Sequence, residues 1–309
     1  MSAATIRIAT RKSQLALWQA EHVAALLREA HPGIAVELLP LSTKGDRIQD
    51  RSLAAIGGKG LFIKELETAL EDGSADIAVH SMKDVPADLP AGLLIAALLP
   101  RADPHDALIA ARVRTFAELP PGARLGTSSL RRQAQLLCAR PDLRIEPLRG
   151  NVDTRLKRLD AGGLDAIVLA CAGLIRLGWE SKITARLDTG VSLPAVGQGV
   201  IGIECRAADT ATREALSALD DGPARAAVEA ERAFSRRLGG SCQSPIAAFA
   251  QVERDVLTLE GLVAEPDGSR ILRDRLSGPV ANRESLGEEL AERVLAAGAG
   301  SLLERLRAH

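Results

Sequence analysis

The sequence predicts an α/β protein: two similar lobes joined by hinge crossovers, followed by a smaller α+β third domain. Three observations carry this reading. Short apolar strand-like runs alternate with amphipathic helical stretches from the first residues onward, the pattern of a sheet flanked by helices. The alternation restarts near the middle of the chain. Arg124-Leu125-Gly126-Thr127 and its helical stretch echo Arg7-Ile8-Ala9-Thr10 and its helix, and Leu164-Asp165-Ala166-Ile167-Val168 echoes Ala75-Asp76-Ile77-Ala78-Val79. Beyond residue 220 the texture changes to a helix, a glycine loop and two strand-like runs at hairpin spacing. With 309 residues, 46% of them hydrophobic and 26% charged, the chain has apolar material for two or three cores.

In order along the chain, residues 5–10 read as a strand and 13–30 as the helix after it, then 34–41 as a strand and 61–71 as a helix. The apolar runs at 76–79 and 93–98 read as buried strands of a largely parallel sheet. Pro100 and Pro104, with Arg101 and Asp103 between them, suit a hinge, as does the stretch 194–200. The strand-like run at 200–204 reads as a return crossover. Residues 1–99 with 200–217 therefore form lobe 1, residues 105–193 lobe 2 and residues 220–309 the third domain. In that last part 247–252 and 256–264 pair as a hairpin and 284–307 is an amphipathic closing helix.

Composition removes several function classes. A net charge of −1 provides no global field for nucleic acid or an acidic membrane. Aromatic residues are 2% of the chain and tyrosine is absent, so base-stacking platforms are not expected. No apolar run approaches a membrane span. Cys138, Cys171, Cys205 and Cys242 are too widely spread, and the five histidines too scattered, for a metal site. The first residues, MSAATIRIATRKSQ, carry no export signal, which leads us to expect a cytoplasmic protein with reduced thiols.

Three stretches could carry chemistry. The first is Leu238-Gly239-Gly240-Ser241-Cys242-Gln243-Ser244-Pro245, where two glycines end a helical pattern and set a thiol on a tight turn. An isolated cysteine is by itself more often inert than functional. The second is His80-Ser81-Met82-Lys83-Asp84-Val85-Pro86, just past a strand's carboxyl end, where α/β sheets place their ligands. Lys83 and Asp84 put a cation and a carboxylate side by side there, although a solvated turn closed by proline explains the segment equally well. The third is the basic tract from Arg124 to Arg158. Thr127-Ser128-Ser129 stands at a helix start, and Arg131 and Arg132 follow at the end where cations are disfavoured by the helix dipole, a placement that suits an external carboxylate. Arg149-Gly150-Asn151-Val152-Asp153-Thr154-Arg155 repeats the arrangement with a capping residue. Arg140, Lys157 and Arg158 read as ordinary surface charge. Gly197-Gln198-Gly199-Val200-Ile201-Gly202 matches a dinucleotide pattern by letter but precedes a strand, and Gly57-Gly58-Lys59-Gly60 lacks P-loop spacing.

The segments RIATRKSQLALWQ, STKGD, GGKGLF, ADIAVHSMKDVP, LGTSSLRRQAQL, RGNVDTRL, LPAVGQGVIGIE and GGSCQSPI run in this order from residue 7 to about residue 250. Together they resemble the hydroxymethylbilane synthases, or porphobilinogen deaminases, of tetrapyrrole biosynthesis. The resemblance implies periplasmic-binding-protein-like lobes; nothing in the sequence suggests an extensive subunit interface, so a monomer is expected. It implies deaminating condensation of four porphobilinogen molecules, then hydrolytic release of linear hydroxymethylbilane. It also implies a dipyrromethane cofactor joined to Cys242 by a thioether, a bond that suits a soft thiolate and offers water no acyl group. Carried over position by position, Asp84 is the catalytic carboxylate. Ser81, Lys83, Thr127, Ser128, Ser129, Arg131 and Arg132 hold the cofactor. Arg11, Ser13, Gln19, Lys59, Arg149, Arg155, Arg176 and Gln198 hold the substrate or growing chain. No metal is implied. Ala55, where relatives often carry a basic residue, and Ser241, where glycine is frequent, depart from the pattern.

Two rivals remain at this level. A two-lobed solute-binding or sensor module would share the fold, bind a small anion reversibly and leave Cys242 unmodified. A cysteine hydrolase would need a histidine base, and no histidine motif supplies one.

Overall fold

The computed structural model describes residues 5–43, 45, 63–241 and 244–307. In chain order the first elements are β1 (Thr5–Arg11), α1 (Gln14–Ala30), β2 (Ala35–Leu41), α2 (Lys64–Glu71), β3 (Ile77–Ser81) and β4 (Leu93–Leu98). Next come β5 (Asp106–Ala110), β6 (Arg124–Gly126), α3 (Leu130–Ala139), β7 (Arg144–Glu146), α4 (Val152–Asp160), β8 (Ala166–Ala170), α5 (Cys171–Arg176) and β9 (Ala185–Leu187). The chain continues through β10 (Ile201–Arg206), α6 (Thr210–Ser217), α7 (Gly222–Arg237), β11 (Ile246–Glu253), β12 (Val256–Ala264) and β13 (Ile271–Pro279). It closes with α8 (Arg283–Val294) and α9 (Gly300–Arg307).

Two compact units result: one runs to Ala102 and adds Gly199–Arg225, the other takes Asp103–Gln198 and everything from Ala226 onward. The first unit holds a sheet in the order β2-β1-β3-β10-β4, with β1 parallel to β2 and β3, and β10 antiparallel to both its neighbours. The second holds a sheet in the order β7-β6-β8-β5-β9, with β6 parallel to β7 and β8, and β5 antiparallel to both its neighbours. The two topologies are the same. Each has three successive parallel strands and then a strand that enters straight from a crossover, with no helix to reverse the chain. That entry reverses one strand, so four of the five strands in each sheet run the same way and the expected largely parallel sheet carries a single antiparallel member.

Local sequence explains the elements that position the site. Ser13 caps α1 by accepting the Ala16 N–H at 3.3 Å, and Ala16, Ala20, Val23, Ala24 and Leu27 form the helix's buried stripe at i, i+3, i+4 spacing. From Ala20 onward that stripe packs with Ile8, Ile77 and Val79 of the sheet, each large aliphatic side chain contributing about 1.5–3 kcal/mol through burial. Ile77, Ala78, Val79 and His80 are all buried, so β3 is covered on both faces.

The second unit also contains an antiparallel sheet, β11-β12-β13, backed by α7, α8 and α9. Helix α3 packs on this sheet, with Ala134 and Leu193 against Ala247, Phe249, Leu262 and Ala264. Gln133 donates to the Pro266 carbonyl at 3.0 Å, and Gly268, at φ +74°, approaches so closely that a Cβ would lie 2.5 Å from the Cys138 nitrogen. The expected single closing helix is two, parted by a short π-helical stretch in which Gly298 turns to φ +107°. Among the described residues no helix is long and apolar enough to cross a membrane.

Candidate active site

The described residues among those singled out above fall into two groups, one per unit, and most of them lie at or just past the carboxyl ends of parallel strands. In the first unit Arg11 ends β1, Ser81 ends β3, and Met82–Asp84 form a 3-10 turn directly after it. The turn is closed by the Val85 N–H donating to the Met82 carbonyl at 3.2 Å. Gln19 is buried on α1 and its amide donates to the Ser81 hydroxyl at 2.9 Å, so these two meet. The Ser13 hydroxyl is engaged in capping. Lys83 and Asp84 are half-buried.

Just before this turn lies a pair that the sequence did not reveal. Glu204 of β10, wholly buried, meets the His80 ring at 2.9 Å through Oε2, while its Oε1 has no hydrogen-bond partner among the described residues. Nearby, the Glu67 carboxyl is held above its usual range by burial first and by the negative charge of Glu204 second, with His80 pulling the other way. The visible signal was a carboxylate inside the apolar run Val200–Glu204, which hydropathy alone reads as a strand end.

The second group gathers around another buried carboxylate. Ser129 caps α3 by accepting the Arg132 N–H at 3.4 Å, Ser128 accepts the Leu148 N–H at 2.9 Å, and Thr127 accepts the Ser129 N–H at 3.2 Å. Arg131 and Arg132 then project inward, 4% and 6% exposed. The sequence suggested an external carboxylate for them; the carboxylate they face is the protein's own Asp106, the fully buried first residue of β5. Arg131 Nη1 lies 2.9 Å from Asp106 Oδ2, and Arg132 Nη2 lies 2.7 Å from Oδ1. Ser192 donates to the same carboxylate at 2.7 Å and Gln198 at 3.0 Å. The guanidiniums reach backbone carbonyls too, Arg131 that of Leu193 at 2.6 Å and Arg132 that of Val168 at 2.9 Å. Burial would push the Asp106 carboxyl up, but the two guanidinium charges and their hydrogen bonds outweigh it and hold the group well below the carboxylate range. Two cations against one anion leave a surplus positive charge in a desolvated setting.

Gln198 is itself buried, its amide shared between Asp106 and the Pro104 carbonyl at 2.6 Å. Arg149 is half-buried just after β7. Asn151 occupies the cap position of α4 without a capping hydrogen bond from its side chain, while Arg155 Nε donates to the Gly150 carbonyl at 2.8 Å. Arg176 ends α5, where burial pushes its guanidinium down to about 10.

Lys59, Ala55 and Cys242 lie outside the described residues. Around Cys242, α7 ends at Arg237, Gly239 takes φ +63°, and the Ser241 N–H donates to the Ser244 hydroxyl at 3.1 Å. The buried thiols of Cys171 and Cys205 are pushed up to about 12 and about 11 by burial, which leaves both unreactive. Among the described residues no group of side chains could hold a metal ion. The donor set of the second unit fits a polycarboxylate: guanidiniums that are buried, pre-oriented by Asp106 and in surplus over the anions beside them.

Known proteins resemble this chain along nearly its whole length. Residues 6–214 match the family described as "Porphobilinogen deaminase, dipyromethane cofactor binding domain", and residues 225–296 match "Porphobilinogen deaminase, C-terminal domain". Porphobilinogen deaminase of Syntrophotalea carbinolica is 55% identical over 306 residues, covering 99% of this chain and 97% of the relative. That of Xanthomonas campestris pv. campestris is 56% identical over 302 residues, covering 98% and 99%. Among solved structures, a nutrient binding protein from Burkholderia cenocepacia bound to methionine aligns with TM-score 0.43 at 15% identity, over 69% of this chain and 90% of that one. With both family domains matched in order and relatives above half identity along nearly its whole length, the chain belongs to the porphobilinogen deaminase family.

Proposed function

We propose that the chain is a hydroxymethylbilane synthase. It condenses four porphobilinogen molecules with loss of ammonia at each addition, then releases linear hydroxymethylbilane by hydrolysis. The observation that carries the residue assignment is the buried Arg131–Asp106–Arg132 cluster, whose surplus charge calls for a carboxylate-bearing ligand. Porphobilinogen and its oligomers carry an acetate and a propionate on every ring. The dipyrromethane, tethered to Cys242, supplies the pyrrole carbon on which the product is built.

Arg131 and Arg132 hold the cofactor's carboxylates, with Ser81, Lys83, Thr127, Ser128 and Ser129 completing its polar surroundings. Arg11, Ser13, Gln19 and Lys59, together with Arg149, Arg155 and Arg176, bind the substrate and the growing chain. Arg176 is suited to this because burial disfavours its charged guanidinium, a cost that the charge-assisted hydrogen bonds of a carboxylate offset. Gln198 acts through Asp106 and Pro104, which engage its amide.

Asp84 is the catalytic carboxylate. Its fixed negative charge at the end of the 3-10 turn stabilises the cation that develops on the substrate as ammonia leaves, an effect worth about 3–4 kcal/mol for one well-placed group. The same oxygen atoms take the proton that the coupled ring releases and hand it to the departed ammonia, which leaves as ammonium. The chain works as a cytoplasmic monomer of two lobes, residues 1–99 with 200–217 and 105–193, and a third domain at 220–309. A reversible solute-binding role is not favoured by the family to which the chain belongs. Asp84→Asn tests the assignment. The variant is expected to fold and keep its cofactor, seen by circular dichroism and intact mass, while losing most of its turnover. Near-normal turnover would remove Asp84 from the mechanism.

A further inference from the structure

The glycine run at 197–202 leads into β10 rather than a helix, so no dinucleotide role accounts for it. Its last member touches the proposed catalytic turn. Gly202 lies on β10 opposite His80 of β3 on one side and Leu98 of β4 on the other. A Cβ at Gly202 would stand 2.2 Å from Met82 Sδ and 3.1 Å from Met82 Cγ. Met82 is 2% exposed and opens the 3-10 turn that ends at Asp84. Its N–H donates to the Val200 carbonyl at 3.0 Å, in the residues leading into the same strand. The turn is therefore tied to β10 twice, by a backbone hydrogen bond and by a thioether side chain lying over the bare Cα of Gly202.

We infer that Gly202 is a positioning residue for the Asp84 turn: with no side chain of its own it seats Met82, and the seated Met82 fixes where Lys83 and Asp84 stand. The inference rests on Asp84 being the catalytic carboxylate. A methyl group at 202 meets the middle of the Met82 side chain, not its tip, so the residue that begins the turn must move. Displacements near 1 Å at a reacting group cost about 100-fold in rate. Neither Gly202 nor Met82 contributes a polar group, so binding of a carboxylate-rich substrate is not expected to change.

The test compares Gly202→Ala, Met82→Ala and the double variant as holoenzymes with the parent protein. With Gly202→Ala we expect full cofactor mass, KM within threefold of the parent, and kcat lowered by about 10- to 100-fold. Met82→Ala is expected to lower kcat with KM likewise unchanged. In the double variant the new methyl occupies space vacated by the methionine. Its kcat is expected to exceed that of Gly202→Ala alone, with a non-additive thermal midpoint as for any pair in direct contact. Unchanged kcat in Gly202→Ala, or losses in the double variant that simply multiply, would overturn the inference. Should Gly202→Ala fail to fold, Met82→Ala decides: a lowered kcat at constant KM supports the seat, and an unaltered kcat rejects it. Asp84→Asn separates this from the underlying reading. An active Asp84→Asn refutes the role of Asp84, whereas an inactive Asp84→Asn beside a fully active Gly202→Ala refutes only the positioning role.

Discussion

Replacing Asp106 by asparagine removes one charge and almost no volume from the centre of the arginine cluster. In the parent protein the carboxylate takes hydrogen bonds from Arg131, Arg132, Ser192 and Gln198 at 2.7–3.0 Å for the closest contact of each. Asparagine keeps one acceptor oxygen and turns an amide donor toward guanidiniums that can only donate. Two like charges then share a site that has lost the protein's own counter-ion. Breaking a buried ion pair by deleting one partner costs about 3–5 kcal/mol. At about 2–4 °C per kcal/mol for a unit of this size, the thermal midpoint should fall by roughly 6–20 °C at pH 7. The deficit carries a sign in pH. Because folding holds the Asp106 carboxyl below its ordinary value, its contribution is complete above about pH 4 and is lost as acid protonates the unfolded chain first. Parent and variant midpoints, measured by calorimetry from pH 7 downward, should therefore converge on the acid side. Intact mass of the same samples should show less dipyrromethane in the variant, and Asp106→Glu should recover part of it. A midpoint within 2 °C of the parent at pH 7, with undiminished cofactor, would refute the view that Asp106 holds the two arginines in place.

Two further outcomes follow from other parts of the site. Glu67→Gln should raise the thermal midpoint at pH 7, since burial and the charge of Glu204 make the ionised Glu67 unfavourable in the folded chain. Here the folded carboxyl titrates above the unfolded one, so the gain should fade as pH falls through that raised value and be gone below about 4.3, and a gain that grows in acid would contradict the assignment. Arg149→His and Arg155→His should stall assembly at intermediate chain lengths, visible as enzyme-bound mass increments. Normal product release with unchanged affinity would count against their role in binding the growing chain.

Elements built on a single clear periodicity are legible in the amino-acid sequence. Residues 13–30 show both the cap, Ser13, and the buried stripe, and α1 runs Gln14–Ala30. The runs at 76–79 and 93–98 can be read because both faces of β3 are apolar and β4 is bounded by Pro90 and Pro100. Strands β7 and β9 escape notice because three residues show no period. Strand β13 is hidden because Arg273, Asp274 and Arg275 give it the look of a solvated loop, although it forms one of the two outer strands of the third sheet. The same limit applies to the site. Motif position picks out Arg131 and Arg132, whereas their counter-ion lies some 25 residues earlier at the head of a strand, where a charged residue ordinarily marks the surface. Glu204 is masked in the same way. Buried charge is a property of pairing in space, and hydropathy along the chain assigns each member of such a pair to solvent.

The covalent tether is the feature on which the proposed chemistry depends. Mass spectrometry of the active, purified protein and of its Cys242 peptide should find the weight of two joined pyrrole rings added to that cysteine and to no other. An unmodified Cys242 in fully active protein would contradict it.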